Sequence, residues 1–397
     1  MPLKATPSIA REVVQLAAPI IGRSLLETLV FLVDRAMLGH YTAEALASMQ
    51  ISGPMIWAIS SIFSAFAVGA IALVGRAVGS GDRALASATA RGSLLLAFVV
   101  GTVLAILSLV SIDTILNLFP AAEPSVRLNA RAYLLILLPT MPLMLLSLVS
   151  AALLQAAGNT RTPFIVALFA NGVNAVLNYC LIFGNYGAPT LGIRGAAIGS
   201  AMAIAINAFV LLALLTQRHG VLTLRGRGGE SDALSRVLRI SAPALGERLV
   251  QHIGYLGFVA FIGALGGVAM AANQILISIE SICFLSAEGL GLAAAAIVAQ
   301  RLGAGRPDEA SAGAQVAMVM ALGLLGLCGC VFVLFPTQLL CVFSQDPKLI
   351  AIAIPCLYIA AAAQPFMAMS FVLGDALRGA GDTRTAFYSG LQFHEGQ

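Results

Sequence analysis

Apolar runs of about twenty residues recur along nearly the whole chain, separated by short polar corners. A helical run of this length matches the hydrocarbon thickness of a bilayer. Only 10% of the 397 residues are charged and 59% are hydrophobic, whereas about a quarter of the residues in soluble domains are charged. The runs are also too long, and alternate too little, to be strands of a membrane barrel. The sequence therefore predicts an all-α polytopic membrane protein.

The pattern predicts ten membrane spans and one long polar connection. The spans lie at about 13–39, 48–75, 90–112, 129–153, 162–184, 192–215, 240–263, 272–299, 313–336 and 348–375. The longest polar stretch, 216–239, holds five arginines and the glycine-rich tract RGRGG. We interpret it as a cytoplasmic linker between an N-terminal lobe, 1–215, and a C-terminal lobe, 240–397.

The basic residues indicate the orientation in the membrane. If the N-terminus lies in the cytoplasm, fifteen Lys and Arg residues fall on that side and four on the other, with three more inside spans. Cytoplasmic loops carry an excess of these residues. We therefore predict a multi-pass protein of the cell membrane, in bacteria the inner membrane, with a cytoplasmic N-terminus.

An internal repeat gives the architecture. LQAAGNTRT at 154–162 returns as LRGAGDTRT at 377–385, with six of nine positions identical. At an offset of 224, Ala18-Pro19 matches Ala242-Pro243, and the glycines of the VGSGD corner match those of LGAGR. The first unit holds six spans, an even number, so both copies keep one orientation. Two parallel-repeat bundles with a cleft between them are the arrangement expected of an alternating-access transporter.

The second copy is expected to be shorter than the first. Spans five and six of the first copy predict partners at about 385–438, whereas the sequence ends at 397 in LQFHEGQ. The expectation is a second lobe of four helices and a remnant, C-terminally shortened.

Several motifs, taken in order, resemble one known family. They are LAAP at 16–19, FLVDRAMLG at 31–39, the corners VGSGD and LGAGR, LQAAGNTRTPF, VNAVLNYCLIFG at 173–184 and GIRGAAIGSA at 192–201. Together they resemble the multidrug and toxic compound extrusion (MATE) family. The resemblance implies two six-helix lobes that export drugs in exchange for sodium ions or protons.

Asp34 is the first candidate for the coupling site. An ionisable group inside a membrane span is costly, so it invites a functional interpretation. The resemblance implies that Asp34, within FLVDRAMLG, is the cation-linked acid of the N-terminal lobe, and any metal bound there is expected to be Na⁺. The alternative is an ion pair with Arg35, although adjacent helical residues do not share a face.

Polar residues of spans five and six are expected to complete this site. Asn174 and Asn178 are spaced i, i+4 on one face, and their carbonyl oxygens suit sodium or a carboxylate partner. The resemblance also assigns them to positions near the first-span aspartate. Ser200 is expected to add a hydroxyl. The alternative is that these side chains only hold helices together.

Other acids of the spans have more than one interpretation. Glu27 either supplements Asp34, two turns away, or neutralises Arg23 at i−4. The repeat pairs Glu27 with Gln251, where many family members carry glutamate, so a second-lobe cation site is in doubt. Glu280 and Glu288 share roughly one face of span eight and are candidates, with Gln251, for the substrate cleft.

No enzyme is predicted. The sequence has no Walker loop with GK[ST], its four histidines are dispersed, and its six cysteines lack metal-ligand spacing. The net charge of +4 is too small and scattered for nucleic-acid binding. No cofactor is expected beyond H⁺ or Na⁺ as the coupling ion.

The sequence thus predicts a monomeric secondary transporter that exports amphipathic, mostly cationic drugs through the bilayer by H⁺ or Na⁺ antiport and alternating access. Two alternatives remain. One is a flippase for lipid-linked oligosaccharide or a peptidoglycan precursor, which needs a basic cleft. The other is a non-transporting remnant.

Overall fold

The computed structural model describes residues 7–117, 123–217, 222, 224, 230–343 and 346–386. The regular structure of these residues is helical, without a β-strand. The helices are α1 (Pro7–Tyr41), α2 (Ala43–Phe63), α3 (Ala65–Gly79), α4 (Arg83–Val110), α5 (Ile112–Leu116), α6 (Pro124–Leu137), α7 (Met141–Ala156), α8 (Arg161–Phe183), α9 (Ile193–Leu215), α10 (Glu230–Ala264), α11 (Gly267–Gly303), α12 (Pro307–Leu334), α13 (Pro336–Cys341) and α14 (Pro347–Gly379).

Nine of the ten predicted spans are confirmed. Among the described residues, nine helical segments are long and apolar enough to cross a membrane. They are formed by α1, α2 with α3, α4, α6 with α7, α8, α9, α11, α12 and α14. The tenth predicted span, 240–263, lies in α10, where Glu247 and Arg248 interrupt the apolar stretch. The chain is an all-α, multi-pass membrane protein.

The repeated motifs form glycine corners that end one helix and begin the next. Gly81, Gly158, Gly305 and Gly381 all have φ between +71° and +86°, a conformation that glycine adopts at little cost after a helix. Asp82 then accepts a hydrogen bond from the backbone N–H of Leu85 at 2.9 Å. This explains the recurring Gly-Asx pair, because an N-cap side chain satisfies a free N–H of the next helix.

The C-terminal copy of this motif has the same cap. Asp382 accepts a bond of 3.1 Å from the backbone N–H of Thr385. Side-chain and backbone hydrogen bonds from Thr385 lower the pKa of Asp382. Asn159 caps α8 in the same way, accepting from the N–H of Thr162 at 3.1 Å.

The first helices of the two repeats contact both repeats. Helix α1 packs against α8 of its own repeat and against α11 of the second repeat. Its residues Val13, Leu16, Ala17 and Ile20 belong to the buried cluster formed mainly by α11, α12 and α14. Conversely, α10 packs mainly against α3 and α4, where Val237 joins Phe66 and Leu96. The N-terminal part of each first helix is therefore packed against the other repeat.

One end of the bundle holds the tightest contacts between the repeats. It carries the N-terminus of α1 and the four glycine corners, and the sequence assigns fifteen basic residues to it. We call it the basic end and the opposite end the far end. At the basic end the guanidinium of Arg301 bonds the carboxylate of Glu12 at 2.6 Å.

Candidate functional site

Four side chains from three helices of the first repeat form a hydrogen-bonded series. Asn178 Nδ2 on α8 donates to Asp34 Oδ1 on α1 at 2.7 Å and also to Asn174 Oδ1 at 3.2 Å. Asn174 Nδ2 lies 3.5 Å from Ser200 Oγ on α9, a long hydrogen bond. The structure thus brings together the predicted residues Asp34, Asn174, Asn178 and Ser200.

A glycine makes room for this series. Asn174 and Asn178 are 2% and 0% exposed, respectively. A Cβ atom on Gly199 would overlap Asn178 Oδ1, so only glycine lets the amide lie against the backbone of α9. Asn178 Oδ1 is buried and has no hydrogen-bond partner among the described residues. An unpartnered buried carbonyl oxygen is costly, and it is available to a cation or a protonated group.

Tyr133 on α6 joins the site, although the sequence did not single it out. It is 6% exposed, and its hydroxyl group interacts with Ser200. One tyrosine in an apolar run does not reveal this position from spacing alone. It adds a buried hydroxyl group beside the series.

Arg35 does not neutralise Asp34. Its guanidinium carbon lies 3.9 Å from the centre of the Phe31 ring, and a Cβ on Gly53 would lie 3.1 Å from its Nη2. The ion pairs of the described residues do not include Asp34 with Arg35. The hydrogen bond that Asp34 accepts comes instead from a neutral amide.

The series borders a cavity of about 300 Å³ in the first repeat. Its lining is polar on several sides, formed by Arg23, Glu27, Asp34, Ser60, Ser147, Asn171, Asn174, Ser200 and Asn207, with apolar walls from Val30, Met144, Leu148, Ala203 and Ile204. Carboxylate, amide and hydroxyl oxygens are hard ligands that suit Na⁺ or a proton-bearing group. The cavity has the volume of a small-ligand pocket.

Glu27 pairs with Arg23 and also lies at the cavity of Asp34. Its Oε1 accepts a hydrogen bond of 2.8 Å from Arg23 Nε, and its side chain is 53% exposed. It also lines the same cavity as Asp34. The pair lies closer to the basic end than Asp34 does, because both residues precede it on α1.

The described part of the second repeat holds a buried ion network. Arg378 on α14 bonds Glu247 on α10 and Asp375 Oδ1, the latter at 2.5 Å. The side chains of Arg378, Glu247 and Asp375 are 13%, 9% and 8% exposed. Gly291 leaves space for the Asp375 carboxylate, which a Cβ atom there would overlap.

The three predicted cleft residues of the second repeat lie in different surroundings. Gln251 Nε2 is 3.4 Å from Glu247 Oε1 and so extends the ion network. Glu288 interacts electrostatically with Arg248, Asp375, Glu27 and Arg378. Glu280 instead interacts electrostatically with Cys283, one helical turn away on α11.

Asp375 and Arg378 were missed as site residues. Because Arg378 belongs to the repeated corner motif, the sequence assigned it to the basic residues of the cytoplasmic loops. Their i, i+3 spacing at the end of an apolar run was the available signal.

A family model described as MatE matches residues 19–180 and 243–391, one match in each repeat. The probable multidrug resistance protein NorM of Thermotoga maritima is 30% identical over 384 residues, covering 96% of this chain and 82% of the relative. A mutant of the Vibrio cholerae MATE transporter VcmN superposes with a TM-score of 0.90 at 19% identity, covering 98% and 87% of the two chains. A MATE structure in complex with MaD5 has a TM-score of 0.86 at 18% identity, covering 96% and 86%.

Proposed function

The chain belongs to the MatE family of multidrug efflux transporters, and from this premise we propose that it exports amphipathic, mostly cationic organic compounds by antiport with H⁺ or Na⁺. The observation that carries the proposal is the 2.7 Å bond from Asn178 to Asp34 at the wall of the first-repeat cavity. The NorM relative is described as a probable multidrug resistance protein, which supports the substrate class.

Asp34 is the proposed coupling group. A proton or Na⁺ on its carboxylate competes with the Asn178 amide for the same oxygen atoms. A bound proton or Na⁺ therefore changes the hydrogen bond that joins α1 to α8. Na⁺ would use the carboxylate of Asp34 and the amide oxygens of Asn174 and Asn178, because it prefers oxygen ligands.

The cavity offers an organic cation both charge and apolar contact. Asp34 and Glu27 supply negative charge, while Met144 and Leu148 supply apolar surface. A bound cation and the coupling ion would then exclude each other near one carboxylate. Such mutual exclusion is what antiport requires, since each ligand must favour a different state.

The basic end is proposed to face the cytoplasm, following the excess of Lys and Arg. The tight contacts between the repeats at this end then close the cytoplasmic side, and the cavity is reached from the far end. Alternating access requires a second state in which these contacts separate. Inward movement of one positive charge supplies about 2.3 kcal/mol per 100 mV of membrane potential. A one-for-one exchange with a monovalent organic cation moves no net charge, so the concentration gradient of H⁺ or Na⁺ then drives it.

The flippase alternative receives less support from the cavity. A pyrophosphate needs a basic surface, whereas the cavity-lining Arg23 is already bonded to Glu27. The remnant alternative predicts no transport at all. We propose that the chain acts as a monomer.

The test is ethidium transport by purified protein in vesicles, with proton and sodium gradients imposed separately. Wild type is expected to move ethidium with one of the two gradients, and Asp34→Asn is expected to lose this coupling. Asp113→Asn is the matched control, since Asp113 is an exposed acid outside the candidate spans. Coupled transport that survives Asp34→Asn would contradict the mechanism. Absence of transport in wild type would favour the remnant.

A further inference from the structure

Helices α3 and α11 cross at the basic end through a reciprocal pair of glycine contacts. A Cβ atom on Gly79 would overlap the carbonyl of Gln300, and one on Gly303 would overlap the carbonyl of Arg76. Gly79 and Gly303 are 224 residues apart, as are Arg76 and Gln300. Each helix therefore makes the same contact with the other, glycine against carbonyl group. The two backbones touch without intervening side chains.

A third contact lies between these two. A Cβ atom on Gly75 would lie 2.7 Å from the Cβ of Ala299. Gly75 and Ala299 are themselves separated by 224 residues. The pseudo-twofold axis of the repeat thus passes through this crossing.

Two side chains bind the crossing to the opposite repeat. Gln300 Nε2 donates to the carbonyl of Ala156, the last residue of α7, at 2.7 Å. The guanidinium of Arg76 donates to the carbonyl of Ala380, which caps the C-terminus of α14. Carbonyl groups at helix C-termini lack intrahelical partners and carry partial negative charge. Each bond thus satisfies a helix end of the other repeat.

The crossing has the properties of a two-state contact. Backbones that meet at glycines lose their contact after a small displacement, and beside them the side chains of Arg76 and Gln300 join the two repeats. Arg76 is exposed, so water can replace its carbonyl partner when the helices part.

We propose that the α3–α11 crossing is the gate of the basic end, and that Arg76 and Gln300 are its two latches. The proposal rests on the proposed transport function, because a gate has meaning only if this end opens. The two latches differ in charge, so only the Arg76 latch should weaken at high salt.

Hydrogen–deuterium exchange of the full chain in nanodiscs tests the gate without relying on transport. The double variant Gly79→Ala/Gly303→Ala adds two methyl groups to the crossing. Overpacking of this kind should favour the parted state and raise exchange of the 76–84 and 300–308 backbones roughly tenfold. Gly323→Ala is the control, because a Cβ atom there meets nothing within 4 Å. Exchange equal to that of the control would overturn the gate.

A second variant tests the gate without enlarging a side chain at the crossing, in case the double alanine variant does not fold. Gln300→Leu removes one latch, and exchange should rise around Ala156 on the opposite repeat as well as at 300–308. In wild type, the hydrogen–deuterium exchange rates of the 76–84 and 300–308 corners should also change when pH, Na⁺ or ethidium is varied. Corners that respond to none of these form a fixed interface, which contradicts the gate. If the vesicles transport ethidium but exchange at the two corners does not respond, only the gate is contradicted. If exchange at the corners responds but no transport occurs, only the proposed function is contradicted.

Discussion

Asp34 and Asp375 are both aspartates in membrane spans, but their partners differ in charge. Asp34 accepts from the neutral amide of Asn178 and borders a cavity. Asp375 is bonded to Arg378, which also bonds Glu247. A carboxylate held by amides can take up a proton or cation without stranding an opposite charge. A carboxylate paired with a buried guanidinium cannot, because neutralising it leaves the arginine uncompensated. The comparison suggests exchangeable charge in the first repeat and fixed charge in the second.

The carboxylates of the two sites do not correspond to carboxylates in the other repeat. At an offset of 224, Asp34 corresponds to Phe258, and Glu247 corresponds to Arg23. At an offset of 223, Asp375 and Arg378 correspond to Ala152 and Gln155. The two repeats have the same glycine corners and contribute equivalent residues to the α3–α11 crossing. They differ in the positions of their charged residues.

The largest effect is expected from Arg378→Met. The variant leaves Glu247 and Asp375 buried without their cation, which costs about 3–5 kcal/mol for a broken buried pair. Thermal unfolding in nanodiscs should show a melting temperature lowered by many degrees. The control is Arg131→Met, which breaks the exposed Asp113–Arg131 pair and should change little. Partial recovery in the variant Glu247→Gln/Asp375→Asn/Arg378→Met would support fixed charge, and equal melting of Arg378→Met and the control would refute it.

Gly199→Ala comes next. The added methyl group displaces the Asn178 amide from α9 and thereby breaks its bond to Asp34. Overpacking is expected to cost about 1–3 kcal/mol. If about 1.4 kcal/mol of this cost falls on the cation-bound state, counter-ion-driven ethidium transport falls roughly tenfold. Gly172→Ala on α8 is the control, since a Cβ atom there meets open space. Transport equal to that of Gly172→Ala would mean that the amide position is irrelevant to coupling.

Glu27→Gln should have a smaller effect. Glu27 is 53% exposed, so its pair with Arg23 contributes at most about 1 kcal/mol. We expect unchanged melting and less than about a threefold loss of initial transport rate, well below the effect of Asp34→Asn. A loss as large as that of Asp34→Asn would instead make Glu27 a second coupling acid, and the first repeat would then hold two exchangeable charges.

The smallest effect is expected from Ser200→Ala. The bond from Asn174 to Ser200 is 3.5 Å long, so it contributes little. Initial rates of ethidium transport should fall about twofold, because a weak neutral hydrogen bond is lost. A much larger loss would place the Ser200 hydroxyl among the groups that bind the coupling ion directly.

Periodicity and the repeat predicted most of the fold because both can be recognised in the sequence without knowing which helices meet in space. The Gly-Asx corners could be predicted, since the conformation at Gly81 and the cap at Asp82 depend on adjacent residues. The connection between α1 and α2 was predicted too long, because Thr42 alone caps α2 through a 3.1 Å bond to Ala45. A single capping residue is hard to see within an apolar stretch.

The sequence could predict those site residues whose type and spacing are unusual for a membrane span. Asn174 and Asn178 are unusual in a span and share a helical face, so they could be identified. Tyr133 and Gly199 could not, because their roles depend on the approach of α6, α8 and α9 in space. The Glu247–Arg378 bond joins residues 131 positions apart, and sequence spacing carries no information about such a pair.

The packing of α1 and α10 across the repeats bears on how the chain is made. A ribosome synthesises the first repeat before α11 exists, so Val13, Leu16, Ala17 and Ile20 meet their α11 partners only after residues up to 303 have been synthesised. The N-terminal part of α1 therefore reaches its final packing late, together with the second repeat.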